Sequence, residues 1–140
     1  MEVEENIAFN FKLNGSDPPP HLRHTWGERL DEVDSFLDQH GPFDVIIASD
    51  ILLYTKHYPA LLATLEHIMG PHDDSTGPGS DTEPVPEGQG KAGRPSVLLM
   101  SWKRRILEGE GENFFAMAER SGKFRVKEAG SKIFEITRIS

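Results

Sequence analysis

The sequence predicts an α/β fold in which helices pack against a sheet that contains parallel strands. Residues 43–49 and 96–102 form two compact apolar runs without regular alternation, which is typical of strands buried on both faces of a parallel sheet. Between them, residues 58–69 place apolar side chains at helical spacing. Strands joined through helices favour right-handed crossovers and a layered arrangement.

Length and composition limit the class of protein. The chain has 140 residues, a net charge of −8 and no cysteine, which allows one domain with a modest core and excludes disulfides and thiolate zinc sites. The acidic balance argues against a nucleic-acid partner, because proteins that hold phosphate backbones usually carry the opposite charge. The six histidines show no metal-ligand spacing, so we expect no metal site. We see no signal peptide or membrane-spanning run and expect a cytoplasmic protein.

Residues 71–95 differ in composition from the rest of the chain. They contain five prolines, five glycines and five acids, with Val85 and Ala92 as their apolar members. Such a segment cannot bury enough apolar surface to offset the entropy that it loses on ordering. We therefore predict a disordered insertion within one domain, which residues 1–70 and 96–140 form together.

The other elements follow from apolar spacing and from glycine and proline punctuation. Helices are predicted at residues 4–13, 30–37, 58–69 and 112–121, and strands at residues 21–26, 43–49, 96–102, 124–128 and 132–139. From residue 21 onward the order is therefore β-α-β-α-β-α-β-β. A glycine follows each helix, at Gly15, Gly41, Gly70 and Gly122.

The end of the strand at residues 43–49 is the best candidate for a functional site. The chain turns polar there at Ser49 and Asp50, and Tyr54 follows four residues later. In open α/β sheets, ligands bind in the crevice outside the carboxyl ends of the strands. An aspartate in this position is also a common helix N-cap. The pattern alone therefore leaves a functional and a capping role open.

Five segments resemble motifs that follow one another in the same order in a known enzyme family. They are residues 5–10 (ENIAFN), Thr25-Trp26-Gly27, residues 43–50 (FDVIIASD), residues 61–67 and residues 114–120. The first is similar to an E-N-x-x-x-N helix, the second to a Trp-Gly that ends a third strand, and the third to a fourth strand with its following acid. Together they resemble the seven-β-strand methyltransferases that use S-adenosylmethionine, in the branch that methylates protein lysines.

This resemblance implies a Rossmann-like fold of which the chain is the C-terminal portion. The family begins with two strands, a Gly-rich loop and an acid that binds the cofactor ribose, and these parts lack counterparts here. In the family, those two strands lie at the centre of the sheet. Without them, the strand at residues 43–49 becomes an apolar edge, which is an aggregation hazard.

The resemblance also implies roles for single residues. Trp26 and Ser49 take the positions of cofactor-binding residues, and Asp50 takes that of the acid in a D-x-x-Y motif that follows the strand. Tyr54 is the counterpart of the motif's tyrosine, although it stands one place later, since Leu53 occupies the third position after Asp50. An acid and an aromatic ring suit a lysine ammonium, which the ring attracts by cation–π contact.

Two functions from different classes follow. The first is an S-adenosylmethionine-dependent methyltransferase that acts on a lysine of a protein partner. The alternative is a catalytically silent fragment that acts as a binding module or has no activity. A nucleic-acid or small-molecule methyltransferase is a weaker third reading, because Ser49-Asp50-Ile51-Leu52 differs from the Asn/Asp-Pro-Pro-aromatic motif of enzymes that methylate nucleobase amines.

Overall fold

The computed structural model describes residues 3–70, 96–103 and 113–139. The predicted insertion at residues 71–95 lies outside the described residues. The helices are α1 (Val3–Leu13), α2 (Leu30–His40), α3 (Tyr58–Ile68) and α4 (Phe114–Arg120), and a single 3₁₀ turn covers Thr55–His57. The strands are β1 (Val45–Ser49), β2 (Val97–Ser101), β3 (Phe124–Gly130) and β4 (Ile133–Arg138). All four predicted helices and four of the five predicted strands are confirmed within a few residues of their predicted ends.

The described strands form one mixed sheet with the order β1-β2-β4-β3. Strands β1 and β2 pair in parallel, with Val45 opposite Val97 and Ser49 opposite Ser101. Strand β4 lies antiparallel to both β2 and β3. The parallel pair brings the carboxyl ends of β1 and β2 to the same end of the sheet, and β1 is one of the two outer strands of this sheet.

The hydrophobic core lies on one face of the sheet, where α3 and α4 pack. On β2 the core side chains are Leu98 and Met100, which are 1% and 0% exposed, and their register partners on β1 are Ile46 and Ala48. The other buried members of this core come mainly from α3, α4, β3 and β4: Leu52, Tyr58, Leu61, Leu62, Leu65, Met69, Phe114, Phe115, Ala118, Phe124 and Ile136. One helical layer on one face therefore provides most of the burial in the described residues.

On the opposite face of the sheet, the prediction that both parallel strands are buried on two sides is wrong. Val45 is 53% exposed and Ile47 is 81% exposed, while Val97 and Leu99 on β2 are only partly buried. Apolar side chains are buried only where another element covers them, and no element in the described ranges covers this face fully. The prediction that β1 is an apolar edge is confirmed for the described strands.

Residues 21–26 were predicted as a strand, and this prediction is wrong. The segment is an irregular loop that ends in a turn at Thr25–Gly27. A strand needs a neighbour for its backbone groups, and none of the described strands runs beside this segment. Instead, the Gly27 N–H donates a 2.8 Å hydrogen bond to the Thr64 hydroxyl, which holds the loop against α3.

Helix α1 agrees with its predicted bounds within one residue but has no buried residue. Its large apolar side chains stay in contact with solvent, and Phe9 is 53% exposed. The chain leaves α1 through Gly15, whose φ of 70° is easy only for glycine.

In the described part of the chain, no helix is both long and apolar enough to cross a membrane.

Candidate active site

The carboxyl end of β1 carries two of the four residues predicted from the sequence. Ser49 is exposed and lies opposite Ser101 of β2. The Asp50 N–H donates a 3.1 Å hydrogen bond to the Ser101 carbonyl, which extends the pairing by one residue. Asp50 then adopts a φ of 56°, a left-handed conformation that aspartate tolerates better than most residues. The strand ends at this turn.

The backbone turn at Asp50 determines which of the following side chains are buried and which are exposed. Because residues 51–54 do not continue the strand, the regular alternation of its side chains stops there. Leu52 is buried at 4% exposure, whereas Leu53 and Tyr54 are exposed at 47% and 64%. The Tyr54 ring therefore lies at the surface, and position 53, where the motif has its tyrosine, is exposed as well.

Two neighbours contact the Tyr54 ring. The Lys56 ammonium nitrogen lies over the ring, 6.0 Å from its centroid. The His57 imidazole makes an edge-to-face contact with a centroid distance of 6.2 Å and an interplanar angle of 81°. Both neighbours belong to the 3₁₀ turn, which the His57 N–H closes by donating to the Tyr54 carbonyl at 3.1 Å.

Trp26 lines a cavity of about 320 Å³ between its own loop and the start of α3. The other lining residues are His24, Thr25, His57 and Ala60. The loop can approach α3 because residue 27 is glycine: a Cβ built there would lie 3.2 Å from the Ala60 Cβ. Gly27 also has a φ of 77°, so both space and backbone conformation require glycine.

His24 contains a polar atom without a partner. Its Nε2 atom is buried and has no hydrogen-bond partner among the described residues. A buried polar group left in this state costs about 1–3 kcal/mol, and a bound ligand that supplies a partner would recover that free energy. This atom belongs to a residue that lines the cavity with Trp26.

Tyr58 lies close to the site but belongs to the core. Its side chain is 5% exposed, and its ring packs edge-to-face on Phe114 with a centroid distance of 5.4 Å. Its hydroxyl lies 3.5 Å from the Leu52 carbonyl oxygen. Burial raises the pKa of Tyr58 above 10.0, because desolvation disfavours the phenolate.

The structure brings the predicted site residues together only in part. His57 lines the cavity with Trp26 and contacts the Tyr54 ring, so it connects those two predicted residues. Ser49 and Asp50 lie at the end of β1 and do not line the cavity. Within residues 3–70, 96–103 and 113–139, no group of three or more His, Asp or Glu side chains could hold a metal ion.

Sequence reasoning missed His24 and His57. A signal for each was available, since His24 stands two residues before Trp26 and His57 stands three residues after Tyr54.

A second, more open cavity of about 560 Å³ lies between residues 18–22 and α2, and none of the four predicted residues lines it.

Comparison with known proteins identifies the family. The model of the lysine methyltransferase family matches residues 2–75, which is more than half of the 140 residues. The chain belongs to the lysine methyltransferase family. The matched range contains all four predicted site residues and runs from α1 through β1 to the end of α3. The resemblance to the protein-lysine methyltransferases is thereby confirmed.

Two curated relatives belong to the same branch. Over 44 residues the chain is 46% identical to protein N-lysine methyltransferase METTL21A of Danio rerio, which covers 31% of this chain and 18% of the relative. Over 74 residues it is 30% identical to EEF1A lysine methyltransferase 3 of Mus musculus, which covers 51% of this chain and 27% of the relative. The matches thus span about a fifth and a quarter of the length of these relatives.

Proposed function

We propose that this chain forms part of a methyltransferase that transfers a methyl group from S-adenosylmethionine to a lysine of a protein partner. The observation that carries the proposal is the cavity lined by Trp26, together with its connection to Tyr54 through His57. Membership of the lysine methyltransferase family supports the same reaction. A protein substrate is the partner that this reaction requires.

The residues of the cavity suit one part of the cofactor. A volume of about 320 Å³ lies at the lower end of the range for small-molecule sites, roughly 300–1,000 Å³. The Trp26 ring offers an apolar wall for a planar base. When bound, S-adenosylmethionine supplies an electrophilic methyl group on a sulfonium. We assign Trp26 and Ser49 to its binding.

We assign Asp50 and Tyr54 to the substrate lysine. The Tyr54 ring is exposed and has the Lys56 ammonium over its face, which supports the ability of this ring to hold a cation. The Asp50 carboxylate adds a negative charge at the end of β1. Such groups hold and align the lysine until its amine has lost a proton, and alignment supplies much of the rate enhancement in a transfer of this kind.

We further propose that the four described strands form part of the seven-stranded sheet of this family. The exposed face and free edge of β1 support this arrangement, because Val45 and Ile47 lie uncovered there. The parallel pairing of β1 with β2 supports a single domain built from residues 1–70 and 96–140. Disorder of residues 71–95 and a cytoplasmic location stay predictions from the sequence.

Calorimetry and a transfer assay test the proposed function. The purified chain is titrated with S-adenosylmethionine and then incubated with tritiated cofactor and lysine-containing proteins. We expect saturable heat and label in protein lysines, and a Trp26→Ala variant should bind the cofactor more weakly. Absence of heat at millimolar cofactor would support the silent binding module, which the exposed apolar face of β1 also favours.

A further inference from the structure

His57 connects the two halves of the candidate site. It lines the cavity with Trp26, and its ring lies edge-to-face against Tyr54 with a centroid distance of 6.2 Å. Its backbone N–H donates to the Tyr54 carbonyl at 3.1 Å, so the turn and the ring contact restrain the same residue. Among the described residues, His57 alone both lines this cavity and makes a ring contact with Tyr54.

We propose that His57 is a positioning residue that holds the Tyr54 ring at a set distance from the cavity. The inference rests on the proposed function, in which Tyr54 aligns the substrate lysine with the cofactor. Tyr54 is 64% exposed, so packing restrains its ring little, and an edge-to-face contact adds stabilisation beyond the area that it buries. A small displacement of an aligning group lowers the rate of a reaction that depends on geometry.

The role that we assign to His57 depends on its ring and not on a proton. Three other titratable groups lie around it, on His24, Tyr54 and Lys56, but no transfer between them is needed for the Tyr54 ring to be held. A phenylalanine at position 57 keeps a flat ring of similar size, whereas an asparagine keeps polarity and loses the ring. These two substitutions therefore separate a ring contact from an acid–base role.

The first measurement needs no cofactor. The chain has two tyrosines, so labelling tyrosine with ¹³C produces two sets of ring signals, one of them from the buried Tyr58 ring that packs on Phe114. We expect His57→Asn to move the Tyr54 ring signals further than those of Tyr58, although Tyr58 directly follows the substituted residue. We expect His57→Phe to retain a shift from a neighbouring aromatic ring. Unchanged Tyr54 signals in His57→Asn would overturn the contact.

The second measurement uses the transfer assay with the same variants. We expect His57→Asn to lower kcat about threefold to tenfold at saturating S-adenosylmethionine, where any change in the Kd for the cofactor no longer affects the rate. His57→Phe should keep kcat and its pH profile close to those of the wild-type chain. An unaffected kcat in His57→Asn overturns the role of His57 alone, and so does an equal loss in both variants. A wild-type chain that neither binds the cofactor nor transfers methyl groups overturns the proposed function itself.

Discussion

The Asp50 N–H donates a 3.1 Å hydrogen bond to the Ser101 carbonyl and joins the carboxyl ends of β1 and β2. This bond anchors the backbone of Asp50 where the chain leaves the sheet with a φ of 56°. The position matches the rule that ligands of open α/β sheets bind outside the carboxyl ends of parallel strands. The fold therefore holds the backbone of Asp50 at the end of the sheet where we propose that the substrate lysine binds.

Replacing Asp50 tests its proposed role without changing the turn. Asparagine tolerates the left-handed conformation, so Asp50→Asn should fold normally while losing the negative charge. We expect kcat/KM for a lysine substrate to fall roughly tenfold to a hundredfold, since a hydrogen bond to a charged group is worth about 1.5–3 kcal/mol. Asp44→Asn, just before β1 at its other end, is the matched control and should keep kcat/KM within about twofold. Equal activity of the two variants would argue against the role.

The substitution of Lys56 tests whether the Tyr54 ring holds a cation. The Lys56 ammonium lies 6.0 Å from the ring centroid and would compete with a substrate lysine for the same face. At an exposed site such a contact is worth about 0.5–1 kcal/mol, so Lys56→Gln should lower KM for a lysine peptide about twofold to fivefold. Lys12→Gln, on the exposed α1, removes the same charge elsewhere and should leave KM unchanged. A higher KM in Lys56→Gln would mean that Lys56 assists binding instead.

Gly27→Ala tests the close approach of the Trp26 loop to α3. An added Cβ would lie 3.2 Å from the Ala60 Cβ at a residue with a φ of 77°, so we expect a loss of about 2–3 kcal/mol in the free energy of unfolding. Gly15→Ala has a similar φ of 70° but open space, so it reports the backbone strain alone, about 1–2 kcal/mol. Urea denaturation of both variants measures the difference. Equal losses would show that the loop moves away without cost.

Two neighbouring isoleucines test the one-sided burial of β1. Ile47 is 81% exposed, so Ile47→Thr should change the free energy of unfolding by less than about 0.5 kcal/mol and reduce aggregation measured by light scattering. Ile46 packs against the core, and Ile46→Thr should cost more than about 1 kcal/mol. If Ile47→Thr destabilises the chain as much as Ile46→Thr, another element covers that face in solution.

The raised pKa of Tyr58 predicts that the free energy of unfolding depends on pH. Its pKa is raised in the folded state, so between 10.0 and that higher value the folded chain binds more protons than the unfolded chain. The contribution of Tyr58 is therefore complete below pH 10 and is lost as the pH rises through the folded-state pKa. We expect Tyr58→Phe to lack this loss. The difference between the two unfolding free energies should thus change above pH 10 and stay constant from pH 7 to 9.

Much of the fold could be predicted from local patterns. The bounds of α1 agree with the prediction within one residue because apolar spacing and Asn14-Gly15 define them locally. Helix α2 extends to His40, three residues beyond its predicted end, since its last turn carries few apolar side chains to count. The prediction of a strand at residues 21–26 failed because a strand forms only beside another strand. The local sequence pattern does not reveal whether such a partner is present.

The site was predicted less completely than the fold. Motifs identified Trp26, Ser49, Asp50 and Tyr54 as candidates, but they could not show that His57 lies between the Trp26 cavity and the Tyr54 ring. The cavity that His57 shares with Trp26 depends on how the loop before Gly27 packs on α3, far away in the sequence. The buried Nε2 atom of His24 likewise becomes visible only once its surroundings are known.

The sequence by itself determined the helices, the two parallel strands and the family, because helix spacing, capping and short motifs are encoded within a few neighbouring residues. Only the tertiary structure decided that β1 is covered on one face, that residues 21–26 form a loop, and that His57 lines the same cavity as Trp26. Burial and pairing depend on which distant segments meet, and an apolar run such as β1 has the same composition whether one or both of its faces are covered.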